Sequence, residues 1–405
     1  MNQEKALSRR KFMGTVSALG ATTMLKRDAR AQAGKTESIP AQDKRSDMML
    51  SEPNGYNLIV IISDSFRADY LHFNGNERIR TPNLDALAQE SIYFTNCYAD
   101  GLPTIPARRV MHTGKSILPE KQKWHALDKG DTTLAEILAG KGFTTGFIAD
   151  TPHYFAPNMN FHKGFDSWQW IRGQENEKYK SGPKKAVQPG DYIWSYLLEN
   201  NNTYQDRIIQ YVLNTRDRKS EDDYFCAKTL AAAGTWVEEN KDNDGPFMLF
   251  VDMFDPHEPW DAPVRFQKMY REAYPFERMI FGYGVRPKDV RKEHIPILID
   301  LYSAEITFTD YCIGRFIDRL KHLGVWDNTI VVFSTDHGTH LGEQGCLQKN
   351  PNLLNSCVTR IPWLIRHPDK RFAGKKIDAL TSHLDFLPTF LHLLGVDGYA
   401  KTDGQ

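Results

Sequence analysis

Neither sign of charge prevails in this sequence: lysine and arginine together number 51, and so do aspartate and glutamate. That balance supplies no basic excess for nucleic acid, so a generic polyanion binder is not expected. Cysteine is scarce. The five present (Cys97, Cys226, Cys312, Cys346, Cys357) include no CxxC pair. An odd number cannot all pair within one chain, which excludes a complete disulfide framework and leaves them mostly as core residues. No stretch of the mature sequence approaches the roughly 18 consecutive apolar residues of a membrane span. Internal repeats and low-complexity tracts are also missing. What is there, 405 residues with 40% hydrophobic and 12% aromatic side chains, suffices for a large core and an enzyme-sized body.

The even charge hides an asymmetry. Residues 1–33 carry seven basic and two acidic side chains, which leaves 44 − 49 = −5 on the remainder. "SRRKFM" (Ser8 to Met13, with Arg9 and Arg10) is followed by a weakly apolar stretch and then by Ala31-Gln32-Ala33, a small-residue cleavage pattern. The order of charged region, apolar region and cleavage site resembles a twin-arginine export signal, with a mature chain starting near Gly34 and an exported or periplasmic location. A polar linker over 34–55 comes next.

From Tyr56 onward, apolar runs alternate with helical patterns. "YNLIVIISDS", "GFTTGFIAD" (Gly142 to Asp150), "PFMLFVDMF" (Pro246 to Phe254), "NTIVVFSTDHG" (Asn328 to Gly338) and "RIPWLIRHP" (Arg360 to Pro368) read as buried parallel strands. Between them, "TPNLDALAQES" with Asn83 as a candidate cap, "TTLAEILAGKG", and "AEITFTDYCIGRFIDRLKHLG" ending at Gly324 read as helices. Alternating strands and helices predict an α/β sheet covered on both faces. Residues 155–245, rich in charge, tryptophan and tyrosine, read as an insertion or lid.

Several polar residues fall at strand ends. Asp64 follows the first strand, Asp252, Asp255 and His257 close another, and Asp336-His337 close a third. Ligands of open α/β sheets sit beyond the carboxyl ends of strands, so separate segments deliver carboxylates and imidazoles to one crevice. Clustered carboxylates repel unless a cation or protons compensate them, which points to a divalent metal.

These residues, taken with "NLIVIISDSFRADYL", "TPNLDALAQESIYFTNCYA", "LPTIPARRVMHTGK" and "STDHGTHLGEQG", resemble the sulfatase family of the alkaline phosphatase superfamily, in order from about Tyr56 to Gln405. The resemblance implies a mixed α/β sheet with helices on both faces and one catalytic domain over 56–405. It implies hydrolysis of a small-molecule sulfate or phosphorus ester, with Asp64, Asp336 and His337 as metal ligands. The family places its nucleophile first in a C/S-x-P-x-R motif, which Thr104-Ile105-Pro106-Ala107-Arg108 matches with threonine in that position. Arg108 then supports nucleophile and anion, His257 in "DPHEPW" contacts the leaving group, and Lys349 is an anion-binding lysine. The metal is calcium, manganese, iron or zinc, as one ion or two; Asp252, Asp255, His257 and His383 are the candidates for a second site.

The departures from the family pattern bear on the chemistry. Sulfatases proper convert Cys or Ser to formylglycine, and threonine is not a substrate for that conversion. Relatives with an unmodified threonine coordinate its oxygen to metal and form a phosphothreonine, which makes Thr104 both nucleophile and metal ligand and favours phosphorus esters. Asp64-Ser65 stands where many sulfatases have paired aspartates, and "ADTPH" (Ala149 to His153) where many have "GKWH". "DTPHYF" and "NFHKGFDSWQWIRGQE" resemble a bacterial subgroup labelled sulfatase, so sulfate esters stay open, as do a phosphoryl transferase and a non-catalytic binding protein of the same fold. Arg172 and Glu175 of "WIRGQE" read as a structural ion pair, with a substrate contact as the alternative. The sequence closes at "FLPTFLHLLGVDGYAKTDGQ", where sulfatases continue through "DGxSL" into a smaller C-terminal sheet; that subdomain is expected to be absent or the chain truncated.

Overall fold

The computed structural model describes residues 53–117, 124–350, 352–396 and 402–405. The candidate signal segment 1–33 and most of the linker, 34–52, lie outside the described residues.

Among the described residues, eleven strands occur in chain order: β1 (Asn57–Ser63), β2 (Ser91–Tyr98), β3 (Thr144–Ala149), β4 (Ser167–Trp170), β5 (Phe247–Met253), β6 (Thr329–Ser334), β7 (His340–Leu341), β8 (Leu347–Gln348), β9 (Arg360–Ile361), β10 (Trp363–Arg366) and β11 (Lys376–Ser382). Nine of them form one sheet in the order β11-β2-β10-β6-β1-β5-β3-β4, with β9 paired to β2, while β7 and β8 make a separate hairpin. β1 is parallel to both β5 and β6, with Ile62 level with Asp252 on one side and Ser334 on the other. β3 runs parallel to β5. All four strands therefore release their chains at the same edge of the sheet.

The apolar runs behave as buried strands should, because successive side chains point to opposite faces. Leu58, Val60 and Ile62 of β1 enter one core, with Ile105, Met111 and Leu138. Ile59 and Ile61 enter the other, with Leu298, Ile306 and Ile313 of the 28-residue helix Ile295–His322. Helices thus cover both faces, as the alternating pattern predicts. That long helix begins at Ile295, well before the "AEITF" where its pattern becomes clear in the sequence.

Three expectations are corrected by the structure. β10, within "RIPWLIRHP", is antiparallel to β2 and β6. It is buried between two neighbours like a parallel strand, so its apolar run cannot reveal its direction. Asn83 is not a helix cap: the helix Pro82–Gln89 is entered from Thr81, and the Asn83 side chain donates to Asp310 Oδ2 at 2.8 Å. Arg172 pairs with Glu177, not with Glu175. The stretch 155–245 contributes the edge strand β4 and the helix Phe225–Asn240, whose Ala233 and Val237 are buried in the core. Cys97, Cys226, Cys312 and Cys357 are buried, Cys346 partly so, and all five are unpaired.

Candidate active site

The common edge of β1, β5 and β6 carries the site. Asp64 is the first residue beyond β1, and its N–H donates to the Met253 carbonyl at the end of β5. Asp336 and His337 follow β6 by one residue. Gly338 is required next: a Cβ there would lie 2.0 Å from the Cys357 carbonyl oxygen. Asp64, Asp336 and His337 are fully buried, and each offers a ligand atom within 4.8 Å of the others.

The hydrogen bonds determine which atoms are available. Ser65, held at a φ of 62°, donates from Oγ to Asp64 Oδ1 (2.7 Å) and from its backbone N to Asp336 Oδ1 (3.0 Å). The His337 N–H also donates to Asp336 Oδ1, at 2.8 Å. One oxygen of each carboxylate is thereby fixed, and the other, Asp64 Oδ2 or Asp336 Oδ2, faces the shared space beside Arg108 Nη1. His337 Nδ1 donates to the Gly338 carbonyl at 2.8 Å, so Nε2 carries the lone pair. That Nε2 lies 3.3 Å from Asp336 Oδ2 and, like Asp64 Oδ2, is buried without a hydrogen-bond partner among the described residues. Burial lowers the His337 pKa and keeps the ring neutral. A buried imidazole lone pair beside two carboxylate oxygens is costly unless something binds it. The donor set fits a divalent cation without selecting among calcium, manganese, iron and zinc.

Arg108 ties the strand ends together. Fully buried, it sends Nε and Nη2 to the two oxygens of Asp252 (2.9 and 2.7 Å), while Nη1 bonds Asp336 Oδ2 and lies 3.0 Å from Asp64 Oδ2. Its carboxylate partners, Asp252 and Asp336 foremost, outweigh its burial and hold it charged. Thr104, 1% exposed, opens the helix Thr104–Thr113 one turn ahead of Arg108, and residues at i and i+4 share a helix face. The N-terminal N–H groups of that helix favour an anion at this end.

Lys349 follows β8 with its Nζ 3.8 Å from Asp64 Oδ1 and 3.5 Å from Ser65 Oγ. Burial raises the Asp64 pKa, but Lys349 and then Arg108 outweigh it and hold this carboxylate well below its ordinary range. His257 is buried with its ring stacked on Phe254 at 4.0 Å, and its Nδ1 donates to the Glu258 carbonyl at 2.6 Å. Burial, reinforced by the Lys349 charge, pushes the His257 pKa well down, so Nε2 is an acceptor.

The second metal site foreseen from sequence does not assemble. Asp252 is saturated, because Thr151 Oγ1 and Tyr154 OH donate to it (2.7 and 2.6 Å) in addition to Arg108. Asp255 accepts from Gln174 Nε2 and the Cys226 N–H. His383 accepts from the Asp100 N–H at Nδ1 and donates from Nε2 to the Thr335 carbonyl, which leaves no ring nitrogen free.

His153, to which the sequence reading gave no role, and Glu175, read there as an ion-pair partner of Arg172 or a substrate contact, also lie here. His153 and Glu175 face each other with Nε2 and Oε2 3.9 Å apart. Burial lowers the His153 pKa to about 4 and raises that of Glu175. Lys349 and Asp64 act electrostatically on both.

A family model described as Sulfatase matches residues 56–396. The ulvan-active sulfatase of Formosa agariphila is 28% identical over 375 residues, covering 91% of this chain and 65% of that protein. The arylsulfatase of Clostridium perfringens is 27% identical over 367 residues, covering 83% of this chain and 74% of that one. Among solved structures, the phosphonate monoester hydrolase of Agrobacterium radiobacter superposes with a TM-score of 0.68 at 22% identity, over 86% of this chain and 75% of that chain. With the model spanning nearly all of the folded body, and the Asp64, Asp336, His337 and Arg108 side chains converging at the strand ends it covers, this chain belongs to the sulfatase family.

Proposed function

We propose that the chain is a metal-dependent hydrolase of small phosphate, phosphonate or sulfate esters in which the Thr104 hydroxyl is the nucleophile. The observation that carries this reading is the convergence of Asp64 Oδ2, Asp336 Oδ2 and His337 Nε2, one helical turn from Thr104 through the buried Arg108 clamp. Asp64, Asp336 and His337, with Thr104 as a further ligand, would hold a divalent cation that lowers the pKa of a hydroxyl and withdraws charge from the ester.

The chain's own groups supply the rest. Arg108 fixes the Asp252, Asp336 and Asp64 carboxylates and offers its remaining N–H groups to the ester oxygens, as the helix N-terminus does. Thr104 Oγ forms the new bond to phosphorus or sulfur and the bond to the leaving oxygen breaks. Lys349 neutralises charge on the departing side. The threonine proton leaves to water, and the departing oxygen takes its proton from water through His257 Nε2 on the leaving-group side. Water then cleaves the threonine ester and restores the hydroxyl. Phosphorus is the better centre, since water can attack a phosphothreonine in line, whereas a sulfothreonine lacks the aldehyde-forming release open to formylglycine. Arg9 and Arg10 support export by the twin-arginine route.

The test is a panel of aryl sulfate, phosphate monoester, phosphate diester and phosphonate monoester on metal-reconstituted protein. Diester or phosphonate turnover above aryl sulfate turnover is expected. Sulfate cleaved faster than every phosphorus ester would overturn the preference, and no turnover of any ester would overturn the hydrolase reading.

A further inference from the structure

The helices Phe225–Asn240 and Ile295–His322 pack against each other on one face of the sheet, in the core that also holds Ile59 and Ile61. Two of the five cysteines meet there. Cys226, in the first turn of the shorter helix, donates from Sγ to Cys312 Sγ on the long helix at 3.5 Å, and both residues are buried. Among the described residues no other two cysteine sulfurs are in contact. A disulfide holds its sulfurs about 2.05 Å apart, so closure asks for a movement of about 1.5 Å, within reach of a side-chain rotation at a helix end. The pair is not sealed from solvent. A groove of about 390 Å³ lies beside it, with Ala227, Leu230, Cys312, Arg315, Phe316 and Arg319 in its walls. Arg315 interacts electrostatically with Cys312, so the groove presents a cation to an anion that forms or enters there. Cys226 is fully buried and takes no part in the wall. Burial first, and its contact with Cys312 second, push the Cys226 thiol well up, which makes it the poorer first nucleophile.

We propose that Cys226 and Cys312 are a modification site, which a small disulfide oxidant entering the groove closes into an intramolecular disulfide that clasps the two helices. The oxidant is a disulfide compound, the class that an oxidising compartment supplies. Cys312 Sγ, as thiolate, attacks one sulfur of the oxidant and displaces the other as a thiolate. Cys226 Sγ then loses its proton and attacks Cys312 Sγ, releasing the second thiolate. Contact between the two sulfurs makes that second step intramolecular. The oxidant's S–S bond has broken and a new one joins Cys226 to Cys312, while the two protein protons pass to the released thiols. The cysteines stand 86 positions apart in the chain, so the bond removes from the unfolded ensemble a long loop's freedom and stabilises the packed helices.

The experiment incubates the full chain, folded and reduced, with oxidised glutathione, alkylates the remaining thiols after denaturation, and maps the peptides by mass spectrometry. Cys226 and Cys312 should be found joined to each other, with glutathione on neither. The oxidised chain should unfold at a urea concentration higher by about 0.5 M or more, and dithiothreitol should reverse the shift. Cys226→Ala, treated alike, should show no such shift and should hold glutathione on Cys312, whereas Cys312→Ala should hold none on Cys226. Alkylation of both cysteines in the treated parent, or glutathione left on Cys312 without a crosslink, would overturn the site. A crosslink with no rise in the urea midpoint would overturn the clasp. Glutathione on Cys226 in Cys312→Ala would overturn entry through the groove. The peptide map of the parent needs no substitution, so it decides the crosslink even if a variant fails to fold.

Discussion

Replacing His112 with phenylalanine should make the fold less sensitive to acid. His112 lies on the helix that also carries Thr104 and Arg108, and it is 1% exposed. Its ring is enclosed by Phe250 (4.6 Å between centroids), Phe161 (5.6 Å), Tyr154 (6.1 Å) and Phe147 (6.2 Å). Nε2 is buried with no hydrogen-bond partner among the described residues. Burial first, and the Arg108 charge second, lower its pKa to about 3. The unfolded chain takes a proton near pH 6.5 and the folded chain only near 3, so stability falls as the pH drops through that window. The whole window is worth about 5 kcal/mol, and about 3 kcal/mol of it is lost by pH 4.5, where the unfolded imidazole is about two units below its pKa. Phenylalanine keeps the aromatic packing and has no proton to take. Urea unfolding of both chains at pH 7.5 and 4.5 measures the difference, because every other titrating group, and any metal release in acid, acts on both alike. The parent should lose about 3 kcal/mol more than His112→Phe between the two pH values. Parallel losses would refute the reasoning, whatever constant offset the larger ring introduces.

If Asp64, Asp336 and His337 share one cation, Asp64→Asn should lose most of the bound metal while keeping the fold; full metal content by elemental analysis in that variant would sink the assignment. If Arg9 and Arg10 form the export pair, replacing both with lysine should strand the precursor in the cytoplasm. Unchanged appearance of the mature protein in the periplasmic fraction would show that the segment does something else.

The sheet was legible because its strands are buried on both faces and so read as unbroken apolar runs, and because Asp64 and Asp336 mark their ends. The Asp64, Asp336 and His337 cluster came from the same logic, since neighbouring parallel strands deliver the residues beyond their carboxyl ends to one edge. Strand direction was not legible: β10 carries the same apolar run whichever way it points. β2, β4 and β11 escaped notice because they alternate or lie at the sheet margins, partly exposed. The second metal site failed for a different reason. Asp252, Asp255 and His383 have the right chemistry and the right place, but their atoms are consumed by Arg108, Gln174 and backbone groups, and sequence does not show who bonds to whom. Glu175 was assigned the wrong partner, Arg172, because its direction depends on a left-handed turn flanked by the hydrogen bonds of Gln174 and Asn214.

The central claim is that the Thr104 hydroxyl itself attacks the ester, and rapid-quench mass spectrometry tests it directly. A methylphosphonate monoester is mixed with the metal-loaded enzyme, the reaction is stopped in acid during turnover, and the peptide holding Thr104 is weighed. The account predicts a transient phosphonyl group on Thr104, absent in Thr104→Ala, with that variant slower by about a hundredfold or more and Thr104→Ser retaining measurable rate. Steady turnover with Thr104 unmodified throughout, and an alanine variant as fast as the parent, would contradict it.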